Sequence, residues 1–168
     1  MPLKRLEAAD LPVVAGWLAD PGNAQWLDFG GGVQTLTPAA LGVMNQRDVH
    51  LLRLYSDSDG GSSIGIVALS NVSRAAGAAM LWYVLGEKAH GGRGVTTRAV
   101  SELLDMAFAE LGLAAVNAWT VEHNVASQRV LERNGFRLIG RQRACHVIDG
   151  RRYDRLLFDL LAEEHERV

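Results

Sequence analysis

Cysteine is almost absent: Cys145 stands alone in 168 residues. One thiol can close no internal disulfide and build no multi-cysteine zinc site, and it fits a reducing compartment. Long apolar runs are missing too. No stretch approaches the ~18 apolar residues of a membrane span, and the opening "MPLKRLEAADLP" lacks the apolar core of a signal peptide. A cytoplasmic protein with no membrane partner is expected. No sign of charge dominates: 17 Lys and Arg face 19 Asp and Glu, for a net charge of −2. That balance argues against a nucleic-acid partner, which needs a concentrated basic face. The five histidines have no ligand spacing, so no metal is expected. There is no internal repeat, and the length suits one domain, residues 1–168.

Short elements fill the chain. "PLKRL" reads as a strand, and Asp10 is placed to cap a helix over "LPVVAGWLAD". "DPGNAQWLDFGGGVQTL" shows no period and reads as a loop; a second helix runs from Thr37-Pro38 to about Asp48. "HLLRLYS" and "SIGIVALSN" flank the turn "DSDGGS" as a hairpin, and "AAMLWYVL" follows as a third strand. Val95, Ala99, Leu103, Ala107 and Leu111 recur four apart, which predicts a helix from about Gly94 to Leu111. "AAVNAWTV" is a strand. "NVASQRVLERNGF" is a short helix, with Asn124 at its N-cap and Gly135 just past its end. Two long strands, "FRLIGRQRACHVI" and "RRYDRLLFDLL", close the chain around "DG". The predicted order is β α α β β β α β α β β. It implies a mixed α/β fold, parallel at the centre and antiparallel at the flanks, with helices on both faces.

The stretch "AHGGRGVTTRAV" brings three glycines between a strand and the long helix. Free N–H groups at a helix start bind anions, and glycine lets a phosphate approach the backbone. A Walker A loop is excluded, because no Gly-Lys-Ser/Thr is present. A dinucleotide fingerprint would need a third glycine where Thr97 stands. The pyrophosphate of coenzyme A and a plain strand-to-helix turn remain open.

"HGGRGVTTRAV", followed some thirty residues on by "NVASQRVLERNGF", resembles the GNAT superfamily of acyl-CoA-dependent N-acetyltransferases. The first stretch is similar to that family's pyrophosphate loop, the second to its N-x-x-S/A-x-x-x-(Y/L)-x-x-x-G-F motif. The opening "LKRLEAADLPVVAGWLADP" and the ending "CHVIDGRRYDRLLFDLL" resemble the branch of ribosomal-protein N-terminal and spermidine acetyltransferases. The resemblance implies a sheet of about seven strands, splayed between its fourth and fifth. It implies acetyl-CoA as co-substrate and direct transfer to a primary amine, on a protein N-terminus or a small amine or amino sugar. Three departures stand out. Ala89 replaces the loop's usual Arg or Gln, Arg98 stands where the branch often has Glu, and Leu131 replaces the frequent catalytic tyrosine.

The resemblance assigns cofactor contacts to Trp82, Tyr83, Val84 and Leu85, to Gly92, Arg93, Gly94, Val95, Thr96 and Thr97, and to Asn124 and Ser127. With Leu131 in the tyrosine's place, Ser127 is the candidate acid for the leaving thiolate. Thiols have a pKa of ~8.5, so that help is modest. The branch carries a glutamate where His146 falls, nineteen residues after Ser127. A histidine with pKa ~6.5 can take a proton there or simply sit on a strand's outer face. Glu122 and Glu87 are reserves, each also readable as a solvated carboxylate. Trp26, Asp28 and Phe29, beside Gly30-Gly31-Gly32, suit an amine-bearing substrate or pin the loop to the core. Trp17 and Trp119 read as core. Arg141, Arg143, Arg151, Arg152 and Arg155 read as a solvated hairpin edge. The missing tyrosine and Ala89 also leave room for a non-catalytic acyl-CoA sensor or partner subunit. A homodimer through the last strands is a further expectation.

Overall fold

A computed structural model describes residues 3–168. The expected first strand shortens to β1 (Lys4–Arg5), and Pro2 lies outside the described residues. Three helices follow: α1 (Leu11–Ala19), α2 (Pro21–Ala24) and α3 (Pro38–Gln46). Then come β2 (Leu51–Tyr55), β3 (Gly65–Ser73), β4 (Ala78–Leu85), α4 (Val95–Asp105), β5 (Ala115–Val121), α5 (Val125–Arg133), β6 (Arg137–Ile148) and β7 (Arg151–Leu161).

Two local expectations are corrected. The stretch read as loop holds the single turn α2, because Asp20 accepts the Gly22 N–H at 2.8 Å and Pro21 fills the first helical position. Asp10 does not cap α1 through its side chain; it closes a 3₁₀ turn, Ala8–Asp10, by accepting the Glu7 N–H at 2.9 Å. The long helix keeps its expected span, but its last five residues, Met106–Glu110, widen into a π turn.

The seven strands form one sheet in the order β1-β2-β3-β4-β5-β7-β6. Every neighbouring pair is antiparallel except β4 and β5. Alternation along β3 sends Val67 and Leu69 to one face and Ile66 and Ala68 to the other, and both faces are covered. On the first face α4 buries Val95, Ala99, Val100, Leu103 and Leu104, the π turn after it buries Ala107, and α5 buries Leu131. On the second, α1 buries Val14, Trp17 and Leu18, and α3 buries Leu41. Emptying one such position, as in Leu104→Ala, costs about 2–5 kcal/mol. Asp149 and Gly150, at φ 50° and 77°, make the type I′ turn between β6 and β7. Among the described residues no helix is long and apolar enough to cross a membrane.

The parallel pair creates the opening that matters. β4 and β5 stay in register only over Ala78↔Ala115, Ala79↔Val116 and Met80↔Asn117. Beyond Met80 they part. β4 continues against β3 to Leu85, and β5 continues against β7 to Val121. Leu81 to Leu85 therefore have no strand partner on the β5 side, and the sheet carries a wedge-shaped gap.

Candidate active site

The glycine loop crosses one end of the gap. Gly92 and Gly94 have φ 76° and 70°, a region that costs an ordinary L-residue about 1–2 kcal/mol. Gly94 is the cap of α4, so the N–H groups of Val95, Thr96 and Thr97 lie in the first turn with no helical acceptor. Tyr55 fixes that turn: its hydroxyl lies 2.8 Å from Thr96 Oγ1. Arg98 Nη1 donates to the Arg93 carbonyl at 3.3 Å and braces the loop from behind.

This turn borders a cavity of about 510 Å³. Gly92, Gly94, Val95, Thr96 and Thr97 line it, as do Tyr83, Val84 and Leu85 of β4 and Asn124 and Ser127 of α5. Lys88, Arg129 and Arg133 also line it, with no carboxylate among the described lining residues. Glycines at positive φ, free N–H groups and three cations fit a diphosphate. Burial lowers the Lys88 pKa, while its ammonium donates to Asn23 Oδ1. Arg93 lies elsewhere: it is 64% exposed, and its Nη1 is 3.8 Å from Asp57 Oδ2. Arg129 and Arg133, one turn apart on α5, were missed; their i, i+4 spacing on the helix that carries Asn124 and Ser127 was the available clue.

A second cavity, about 360 Å³, opens on the other side of the gap. Trp26, Asp28 and Phe29 line it, joined by Trp82, Tyr83, Trp119, His50, Ser70 and Arg155. Trp119 and Arg155 depart from their expected roles as core and as solvated edge. Arg155 is 13% exposed, donates from Nη2 to Asp28 Oδ2 at 2.8 Å, and lies 3.8 Å over the Trp119 ring. Asp28 Oδ1 also accepts the N–H groups of Gly30 and Gly32 at 2.8 and 3.0 Å. Desolvation pushes the Asp28 pKa up, but Arg155 and these two donors outweigh it and hold the carboxyl below its ordinary value. His50 Nδ1 is 3.0 Å from Ser70 Oγ, which also accepts the Trp82 indole N–H at 2.8 Å. The hairpin register that sets Leu51 opposite Leu69 brings His50 and Ser70 together, so this pair was within reach of the sequence.

The two cavities share Trp26, Leu27, Tyr83, Asn124 and Ser127. There the Tyr83 hydroxyl donates to the Ser127 carbonyl at 3.0 Å and lies 2.8 Å from Ser127 Oγ. Asn124 Oδ1 accepts the Ser127 N–H at 3.3 Å and fixes the first turn of α5. Burial pushes the Tyr83 phenol upward, so it holds its proton at neutral pH.

The three base candidates stand apart from both cavities. His146 is 2% exposed; its Nε2 lies 2.6 Å from the Gln25 carbonyl, and its Nδ1 accepts from Arg155. With Nε2 donating and Nδ1 accepting, its neutral ring has no free lone pair for an incoming proton. Glu122 accepts from the Asp154 N–H at 3.0 Å and from Arg141 at 3.1 Å, away from the gap. Glu87 accepts the Trp17 indole N–H at 3.0 Å. Leu131 is fully buried in the core. Among the described residues no group of three or more His, Cys, Asp or Glu could hold a metal ion.

A mixed sheet opened between its two parallel strands, with an anion cradle on one side and a second cavity meeting it at the gap, defines the acyl-CoA-dependent acetyltransferase class that the sequence resembles. A model of the Acetyltransferase (GNAT) domain matches residues 2–137. The chain belongs to the GNAT family, whose general activity is acetyl transfer from acetyl-CoA to amines. It is 37% identical over 105 residues to "Probable N-acetyltransferase YjcK" of Bacillus subtilis, a match over 62% of this chain and 58% of that protein. The chain thus spans well under two thirds of that relative. In structure it is similar to spermidine N-acetyltransferase from Vibrio cholerae, solved with CoA and spermine: TM-score 0.84, 18% identity, 97% of this chain and 96% of that one. It is also similar to Mycobacterium smegmatis RimJ, solved with CoA-disulfide: TM-score 0.78, 22% identity, 96% and 82% of the two chains. At those identities the likeness is one of fold.

Proposed function

We propose that this chain transfers an acetyl group from acetyl-CoA directly to a primary amine, with both substrates bound at once. The observation that carries this reading is the meeting of two cavities at Tyr83, Asn124 and Ser127, inside the gap between β4 and β5. The cavity beside α4 takes the coenzyme: first-turn N–H groups with Lys88, Arg129 and Arg133 hold the diphosphate. The unpaired backbone of Leu81 to Leu85 offers hydrogen bonds to the pantetheine arm, as an edge strand does to an added strand. A backbone N–H of this segment faces the thioester oxygen and stabilises its developing charge.

The amine enters from the aromatic cavity. A new C–N bond forms as the C–S bond breaks; the amine loses one proton and the thiolate gains one. Ser127, held by Asn124 and Tyr83, passes its hydroxyl proton to the sulfur as it receives the one the amine gives up, so the serine ends neutral. None of the described residues shared by the two cavities is a carboxylate, and burial in the gap disfavours an ammonium over a neutral amine. Desolvation then does much of the work of deprotonation, so the attacking form is the free amine itself.

This reading has a direct test. The pH profile of kcat/KM should carry a limb that follows the acceptor. Replacing an acceptor of pKa ~10.4 by one of pKa ~7.7–8.0 should move the limb down by about two to three pH units. A limb fixed near one pH for every acceptor would place the base in the protein. Acetyl-CoA binding with no thiol release for any amine would favour the sensor reading.

A further inference from the structure

We propose that the acceptor is a monoamine with an uncharged apolar body, aromatic or branched, and that polyamines are poor acceptors. This deepens the acetyl-transfer reading and rests on it. Five aromatic residues, Trp26, Phe29, Trp82, Tyr83 and Trp119, line the acceptor cavity. Flat apolar walls favour an apolar body by area and by ring-edge contacts; Phe29 and Trp82 already meet edge to face at 5.2 Å.

Charge decides against a second ammonium. A polyamine's distal ammonium, once desolvated, needs an uncompensated carboxylate or an open ring face; here Arg155 already covers the Trp119 ring at 3.8 Å, and Phe29 and Trp82 meet each other. Among the described lining residues Asp28 is the one acid and Arg155 the one permanent cation. They are paired with each other at 2.8 Å. Gly30 and Gly32 N–H groups occupy Asp28 Oδ1, Arg155 occupies one side of Oδ2, and Arg155 is further tied to His146 Nδ1 at 2.9 Å. The cavity therefore presents a pair with no net charge, and a second ammonium would be desolvated with no unpaired carboxylate to meet it.

The far end carries the same message. Ser70 pairs with Met80 in the strand register, three residues before Tyr83. At ~3.3 Å per residue that end lies about 10 Å from the junction. Two of its polar groups, His50 and Ser70, are bonded to each other, and Ser70 also takes the Trp82 N–H; Asn71 beside them is an uncharged amide. Burial, with Arg47 nearby, lowers the His50 pKa, so the ring is neutral and this end offers hydrogen bonds rather than charge. A volume of about 360 Å³ is at the small end for ligand sites and suits one ring and its side chain.

The test compares acceptors at equal pH, with free thiol as the readout: 2-phenylethylamine, cadaverine, spermidine, and tripeptide amides headed by Phe or Lys. We expect kcat/KM for 2-phenylethylamine to exceed that for cadaverine and spermidine at least about tenfold, a difference of about 1.4 kcal/mol. If chain ends are the natural source of this chemistry, the Phe peptide should beat both the Lys peptide and the free amine. Arg155→Gln frees Asp28, and should raise the cadaverine to 2-phenylethylamine ratio about tenfold or more. A loss of packing alone would lower both acceptors and leave that ratio unmoved. A polyamine that matches or beats the monoamine in the unaltered protein overturns this proposal and leaves acetyl transfer standing. So does an unchanged ratio in a folded Arg155→Gln protein. Acetyl-CoA binding without turnover of any amine overturns both readings.

Discussion

The Tyr83 hydroxyl and Ser127 Oγ lie 2.8 Å apart where the two cavities join. The single phenol hydrogen has two acceptors in reach, the Ser127 carbonyl at 3.0 Å and Ser127 Oγ; when it points to Oγ, the serine hydroxyl hydrogen is free to turn toward a sulfur. Ser127→Ala should lower kcat about 10- to 100-fold, a general-acid loss at the small end because the leaving thiol is itself a weak base. Tyr83→Phe should lower kcat less, by loosening the serine. Steady-state thiol release, with KM for acetyl-CoA nearly unchanged, checks both.

Gly94 tests the anion cradle. Its φ of 70° suits glycine, and a Cβ there would meet Arg98 Nη1 at an ordinary 3.6 Å. The cost of Gly94→Val is therefore conformational, about 1–2 kcal/mol. That predicts a fall in Tm of only several degrees, at about 2–4 °C per kcal/mol for a chain of this size. Acetyl-CoA affinity should fall further, about tenfold or more, because the first-turn N–H groups are re-aimed. Calorimetric titration beside a thermal melt separates the two effects.

The pH dependence of stability follows from buried imidazole. His146 is pushed below its ordinary 6.5, chiefly by desolvation, with Arg155 adding to the effect, although the Gln25 contact opposes it. His50 shifts the same way by burial. Below pH 6.5 the unfolded chain binds protons that the folded chain refuses, so stability rises with pH there. The contribution is complete above 6.5 and is lost as pH falls toward the depressed folded value. Tm should drop between pH 7.5 and 5.5, and His146→Gln should flatten that slope. An unchanged slope would mean that His146 does not titrate differently on folding.

Much of this architecture is legible in the sequence because its cues are local. The four-residue recurrence from Val95 to Leu111, the Asn124 cap, the Gly135 stop and the Asp149-Gly150 turn each act within a few positions. The turn α2 was missed although Asp20-Pro21 is itself a capping cue. What stayed hidden depends on pairing across the chain. Asp28 and Arg155 are 127 residues apart, and only β7 lying beside β5 brings the guanidinium over Trp119. Alternation along β7 could not show that Arg155 alone turns inward, since its partner sits in an unpatterned loop. His146 illustrates the same limit. A strand histidine looks available in sequence, yet here both nitrogens are engaged and the ring braces Arg155.

Amide hydrogen exchange with and without acetyl-CoA tests the central claim most directly. That claim is that the coenzyme lies on the first turn of α4 and pairs with β4 inside the gap. Exchange should slow at residues 82–85 and 94–97 when acetyl-CoA is added, and stay unchanged at the far edge strand β6. Unaltered exchange at 82–85 under saturating coenzyme would contradict the account.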